Sequence, residues 1–173
     1  ELGKIVDKAE VTLALCDTRL MDEMVTCAKD SRTLKTVVGF DGTANHDAEL
    51  DRAALDKPVT FEAVKTGRDD VALLGFTSGT TGFPKCAVLT HGHMAFVINN
   101  HQADLMPGLD HRDRSLVIAP LSHGAGLHYF VQIAKGATNV FMPGDGLDPE
   151  EAFQLIETHR VTNMFTVPTI IKR

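Results

Sequence analysis

The sequence predicts an α/β fold: a mostly parallel, doubly wound sheet with helices on both faces. Two observations carry this. Short runs of apolar and β-branched residues alternate with segments whose apolar residues recur at helical spacing, and those helical segments are about 10 to 15 residues long. Strands separated by helices of that length form βαβ units, which require parallel strands and right-handed crossovers.

The elements follow in order. Residues 11–16 read as a strand. Thr18 is a candidate N-cap for a helix with Met21, Met24, Val25 and Ala28 on one face. Residues 34–40 read as the next strand, Asp41-Gly42 as a turn, and 43–66 as a polar connection with no assignable period. Strands are expected at 71–76 and 86–89, and Thr90 then caps a helix with Met94, Val97, Ile98 and Leu105 inward. A strand at 115–119, a helix at 126–135 closed by Gly136 and a strand at 139–142 come next. Asp148-Pro149-Glu150-Glu151 is a strong helix start, with a capping side chain, Pro in the first turn and carboxylates at the positive end of the dipole. Phe153 and Ile156 are expected to face inward from that helix. Residues 161–167 give the last strand, Pro168 ends it, and Thr169 opens a final helix.

Composition bounds the function. With 43% apolar and 23% charged residues, the 173-residue chain falls in the ordinary globular class and can bury roughly 70% of its unfolded surface. Disordered, collagenous and disulfide-scaffold classes are excluded. No apolar run approaches the roughly 18 to 20 residues of a membrane span, and the charged first ten residues lack the apolar stretch of a signal peptide. The balance of 17 Lys and Arg against 23 Asp and Glu, net −6, with no basic cluster, argues against nucleic acid as a partner. Cys16, Cys27 and Cys86 show no C-x-x-C spacing and no N-x-Ser/Thr sequon occurs, which suits a reducing compartment, the cytoplasm. The chain starts at Glu1 and stops just as a helix opens, so it is expected to be a piece of something longer.

One loop stands out. Between Val71 and Ala103 the only formally charged residue is Lys85, where the average charged fraction would place about seven. Thr77-Ser78-Gly79-Thr80-Thr81-Gly82-Phe83-Pro84-Lys85 offers four hydroxyls, two glycines that let backbone N–H groups approach a ligand, one cation and no carboxylate. These are the ingredients of a polyphosphate cradle. Neither G-x-x-x-x-G-K-[ST] nor G-x-G-x-x-G fits it, and composition alone leaves open both phosphate binding and an ordinary hydroxyl-rich hairpin.

The ten residues from Phe76 to Lys85 resemble the phosphate-loop signature of the adenylate-forming superfamily, which includes acyl- and aryl-CoA synthetases, luciferases and peptide-synthetase adenylation domains. Cys86 stands where that signature usually has Gly. Ala119-Pro120-Leu121-Ser122-His123-Gly124-Ala125-Gly126 is similar to the family's second landmark, a strand end followed by Pro and then His or an aromatic. The resemblance covers most of the chain from about Val71 onward. It implies that residues 1–173 belong to the large N-terminal domain, without the C-terminal lid domain.

The resemblance further implies the chemistry. Family members join a carboxylate to the α-phosphate of ATP, release pyrophosphate, and pass the acyl group to a thiol such as coenzyme A. Thr77, Ser78, Thr80 and Thr81 would donate hydrogen bonds to the β- and γ-phosphates, while Gly79 and Gly82 admit them. Lys85 would place a mobile positive charge near the leaving pyrophosphate. His123 would line the carboxylate end of the acyl pocket, with Gly124 and Gly126 bordering the acyl group. Mg2+ would accompany the nucleotide, with no carboxylate of this chain marked as its ligand. The His after Pro-Leu-Ser is more like the fatty-acid and aryl-acid CoA ligases than the amino-acid-activating domains, where an acidic residue is expected near this landmark; a fatty acid is the favoured substrate and an aryl acid the second choice. The isolated chain is expected to be inactive. The rival is a noncatalytic nucleotide-binding or scaffold domain that retains only the loop.

His91 and His93 form H-x-H, and His123 and His128 lie five apart; neither is a helical metal pair and no third ligand completes either set, so no metal site is expected. The pattern is silent on oligomeric state.

Overall fold

The structure is a computed structural model that describes residues 2–40, 49–55, 57–77, 84–143 and 146–172. The chain forms two compact units, the first from Glu1–Thr66 and Val71–Leu89, the second from Gly67–Asp70 and Thr90–Arg173.

The first unit contains helix α1 (Leu2–Lys8), strand β1 (Leu13–Asp17), helix α2 (Met21–Asp30), strand β2 (Thr36–Phe40), helix α3 (Glu49–Leu55) and strands β3 (Val71–Thr77) and β4 (Lys85–Thr90). β1 and β2 pair in parallel, from Leu13 against Thr36 to Asp17 against Phe40, as the α2 crossover demands. Asp7 ties α1 to the chain after α2: its Oδ1 accepts from Ser31 Oγ at 2.5 Å and from Arg32 N at 3.0 Å. The Ser31 hydroxyl, more than any other group, holds the Asp7 carboxyl below its usual range. The cap before α2 is not Thr18. Asp17 serves instead, accepting from Arg19 N at 2.9 Å and starting a three-residue 3-10 turn that leads into α2, because a carboxylate is the better acceptor for exposed N–H groups. α1 and α3 both form where no helix was expected; seven residues is too short for a periodic pattern to show. The expected Asp41-Gly42 turn lies outside the described residues.

The second unit contains helix α4 (His91–Asn100), strand β5 (Arg114–Val117), helix α5 (Gly124–Lys135), strand β6 (Thr138–Phe141), helix α6 (Pro149–His159), strand β7 (Asn163–Phe165) and the short helix α7 (Pro168–Ile171). β5 lies between β6 and β7 and is parallel to both. The two crossovers run in opposite directions from one strand to the next, so right-handedness puts α5 and α6 on opposite faces. Side chains agree. Ser115 meets His128 of α5, whereas Leu116, its neighbour on the other face, packs with Val140 and with Ala152, Leu155 and Ile156 of α6. A second cluster joins Leu109, Val131 and Ala137 with Ile98 of α4 and Met106.

Caps explain the helix bounds. Thr90 Oγ1 accepts from His93 N at 3.3 Å while His93 Nδ1 accepts from Thr90 N at 3.2 Å, a capping box with His in the usual Glu position. Gly136 closes α5 at φ 69°, and Asp148 Oδ1 accepts from Glu150 N at 2.9 Å to open α6. Two inward expectations are overturned. Phe153 is 70% exposed, because Ala152 and Ile156 already define the buried face of α6. Leu105 is exposed because residues 101–105 widen into a π turn, which rotates them off the α4 stripe.

Strand pairing among the described residues is distributed over three sheets, β1–β2, β3–β4 and β6–β5–β7. The mixed α/β class with parallel strands is as expected. No helix among the described residues is long and apolar enough to cross a membrane.

Candidate active site

The phosphate-loop motif joins two paired strands of the first unit. Thr77 is the last residue of β3 and Lys85 the first of β4, so strand pairing fixes both ends of the loop, and both side chains are exposed. Ser78, Gly79, Thr80, Thr81 and Gly82 lie outside the described residues. The loop's exit is tied to α1: Lys8 Nζ donates to the Pro84 carbonyl at 3.2 Å. The groove at this contact is lined by Lys4, Lys8 and Arg32 with Asp7, beside Phe76 and Pro84.

The second landmark belongs to the second unit. After β5 the chain turns at 120–123, with His123 N donating to the Pro120 carbonyl at 3.2 Å and Gly126 N to the His123 carbonyl at 2.9 Å. His123 is the N-cap residue of α5 and makes no side-chain cap bond, which leaves its exposed ring available. The two glycines have steric reasons to be there. A Cβ on Gly126 would come within 2.2 Å of the Leu121 carbonyl oxygen, and one on Gly124 within 3.2 Å of Phe165 Cζ. Gly126 therefore lets the 120–123 turn close onto the first turn of α5, and Gly124 lets Phe165 approach.

A buried polar cluster beneath α5 was not expected. His128 Nε2 lies 3.0 Å from Gln132 Nε2, 3.3 Å from Asn163 Oδ1 and 3.4 Å from Ser115 Oγ. Gln132 Nε2 also donates to Asn163 Oδ1 at 3.1 Å. All three partners converge on one ring nitrogen. A nucleophile–His–orienter relay needs its two partners on opposite nitrogens, so this is not a hydrolytic triad. Burial lowers the His128 pKa, the Asn163 hydrogen bond opposes that, and the nearby His101 adds to the lowering. The available signal was His128 and Gln132 at i, i+4, a polar pair on the face that also carries buried Val131. Asn163 sits too far along the chain for any local pattern to join it to them.

Comparison with known proteins settles the family. The AMP-binding enzyme family matches residues 1–173. The chain is 40% identical over 124 residues to feruloyl-CoA synthase from Amycolatopsis sp, covering 70% of this chain and 24% of that protein. It is 33% identical over 137 residues to the long-chain-fatty-acid–CoA ligase FadD13 of Mycobacterium tuberculosis, covering 79% of this chain and 26% of the relative. Among solved structures, ATP-bound MatB from Rhodopseudomonas palustris superposes with a TM-score of 0.83 at 27% identity, covering 100% of this chain and 33% of that one. The chain thus spans about a quarter of the length of these curated relatives. With a family match from end to end and CoA ligases among its relatives, the chain belongs to the AMP-binding enzyme family.

Proposed function

We propose that the chain works as part of an ATP-dependent carboxylic acid–CoA ligase. The observation that carries this reading is the uncharged, hydroxyl- and glycine-rich loop between Thr77 and Lys85, its two ends fixed by β3 and β4 and its one cation at the exit. A carboxylate oxygen of the acid attacks the α-phosphorus of ATP, the bond to the β-phosphate oxygen breaks, and pyrophosphate leaves. The acyl group of the adenylate then passes to the thiol of coenzyme A and AMP departs. Thr77, Ser78, Thr80 and Thr81 bind the β- and γ-phosphates, Gly79 and Gly82 let them approach the backbone, and Lys85 neutralises charge that develops on the leaving pyrophosphate. His123 faces the acid's carboxylate end, and Gly124 and Gly126 border the acyl group.

Mg2+ enters with the nucleotide. Among the described residues no group of three His, Cys, Asp or Glu could hold a metal ion. The acid is a fatty or an aryl acid, and the named relatives include both kinds. The cytoplasm is the proposed compartment, because both co-substrates are soluble and the three cysteines are free.

The test is ATP–pyrophosphate exchange by the natural protein at full length. Lys85→Ala is expected to lower the adenylation rate about 10²- to 10³-fold, the scale of losing one charge-stabilising group. Unchanged exchange would remove Lys85 from the mechanism. The 173-residue chain alone is expected to bind ATP weakly and release no pyrophosphate; turnover by the chain alone would show that it holds the whole catalytic set.

A further inference from the structure

Lys8, the last residue of α1, reaches across the first unit to the backbone at the exit of the phosphate-loop motif, 76 residues away, where its Nζ donates to the Pro84 carbonyl at 3.2 Å. The helix it reaches from is anchored by its other side chains. Val6 is buried, and Asp7 Oδ1 accepts from Ser31 Oγ, Arg32 N and Thr33 Oγ1. Neighbouring residues on a helix project about 100° apart, so with Asp7 turned to the chain after α2, Lys8 points away from it. The helix stops just beyond, where Glu10 takes φ 53° and Val11 N donates back to the Val6 carbonyl at 3.0 Å. The base of the Lys8 side chain is therefore fixed from both directions along the chain.

What Lys8 holds is a rigid unit. The ring of Pro84 fixes its φ and removes its N–H, so the carbonyl is its one backbone polar group. That oxygen shares a peptide plane with N and Cα of Lys85, the first residue of β4. A donor on the oxygen thus sets the point from which the Lys85 side chain leaves the backbone. Lys85 is a point charge on a flexible four-carbon stem, and its reach is defined only as well as that point is. Lys4 and Arg32 line the same groove, and its carboxylate, Asp7, is engaged by Ser31, Arg32 and Thr33; Lys8 takes the Pro84 carbonyl instead.

We propose that Lys8 is a positioning residue for adenylation: by holding the Pro84–Lys85 peptide against α1, it places the Lys85 ammonium where charge develops on the leaving pyrophosphate. This rests on the ligase reading above and adds to it a residue outside the motif. The misplacement of a charge by about 1 Å is enough to cost a reaction up to 10²-fold, so one exposed hydrogen bond at the base of Lys85 has a kinetic effect larger than its effect on folding.

The experiment measures ATP–pyrophosphate exchange by the full-length natural protein, with ferulate and with palmitate as the acid. Lys8→Met keeps the aliphatic stem and loses the donor, and Lys8→Arg restores a donor. Lys8→Met is expected to lower kcat about tenfold with the KM for ATP and the urea midpoint unchanged, the pattern of an interaction realised in the transition state, and Lys8→Arg to recover most of the loss. In a Lys85→Ala background, Lys8→Met should cost nothing further, because the group it positions is gone. Unchanged exchange by Lys8→Met overturns the proposal, and so does a Lys8→Arg protein as slow as Lys8→Met. A second tenfold loss on top of Lys85→Ala, or a loss that comes with a lowered urea midpoint, overturns it as well, since Lys8 would then act without Lys85 or through stability alone. In all of these the unaltered protein still exchanges and the ligase reading stands. No exchange with either acid by the folded, unaltered protein overturns the ligase reading and this role of Lys8 with it.

Discussion

β3 and β4, which flank the phosphate-loop motif, hold no fully buried residue, and Val88 in the middle of β4 is 52% exposed. β5 instead buries Ser115 and Leu116 almost completely, between α5 on one face and α6 on the other. The contrast separates two kinds of constraint. The β3–β4 pair joins the two ends of the Thr77–Lys85 motif, and its packing is thin. The β6–β5–β7 sheet is specified by packing, and its Ser115 and Asn163 are met by His128 and Gln132 of α5.

The sharpest way to break this contrast is to cut the same kind of side chain in both places. Leu116→Ala should cost about 2–5 kcal/mol, since its neighbours Val140, Ala152 and Ile156 are held by the sheet and by α6 and cannot collapse into the space. Val88→Ala should stay within about 0.5 kcal/mol, as for an exposed position. Urea unfolding of the two variants checks both figures, and equal losses would mean that the β3–β4 pair is packed as tightly as the core.

Next in size is the glycine pair at the start of α5. Gly126→Ala sets a Cβ against a backbone carbonyl, and backbone cannot swing away, so about 1–3 kcal/mol is expected, the range for overpacking. Gly124→Ala meets only the ring tip of Phe165, which can tilt, and should cost less. A thermal melt of each variant decides the order. If Gly124→Ala proves the worse, Phe165 is held more rigidly than its half-buried ring suggests.

These positions also show what was legible in the chain. Cap and loop chemistry is local, so Thr90, Gly136, Asp148 and the Thr77–Lys85 motif could be read directly. Gly124 and Gly126 were visible as glycines, but their reason, the close approach of Phe165 and of the Leu121 carbonyl, depends on folding. The polar cluster was hidden for the same cause. Ser115, His128, Gln132 and Asn163 become neighbours only when β5, α5 and β7 stack, and each alone reads as an ordinary polar residue. Phe153 and Leu105 failed for a different reason: a helical stripe can be drawn through more apolar residues than a helix can bury.

A smaller effect separates the two regions by pH. The His128 pKa is lowered in the folded state, so below its ordinary value of 6.5 the unfolded chain binds the proton more readily than the folded one. Stability of the second unit should therefore be complete at neutral pH and fall as the pH drops through 6.5, levelling off once the folded His128 is protonated as well. His128→Gln should flatten that slope. Urea midpoints between pH 5 and 8 test it, and an unchanged slope would assign the titration to another histidine.

The smallest expected effect comes from pairing two carboxylates, one in each unit. Asp110 is drawn from 3.8 to about 2, chiefly by its hydrogen bonds with the Arg112 side chain, and Asp7 is lowered chiefly by Ser31. Both depressions contribute stability above the unfolded value that is lost as the pH falls through the folded one. The reach of the two contacts differs. Arg112 is two residues from Asp110, close enough for the pair to persist in an unfolded chain, which cancels much of its effect on folding. Ser31 is 24 residues from Asp7 and meets it only when α1 docks beside the end of α2. Asp7→Asn should therefore lower stability visibly at neutral pH and weaken the acid dependence of the first unit, while Asp110→Asn should move the urea midpoint barely at all. If the two substitutions shift it equally, the Asp110–Arg112 pair is holding more of the chain than its own loop.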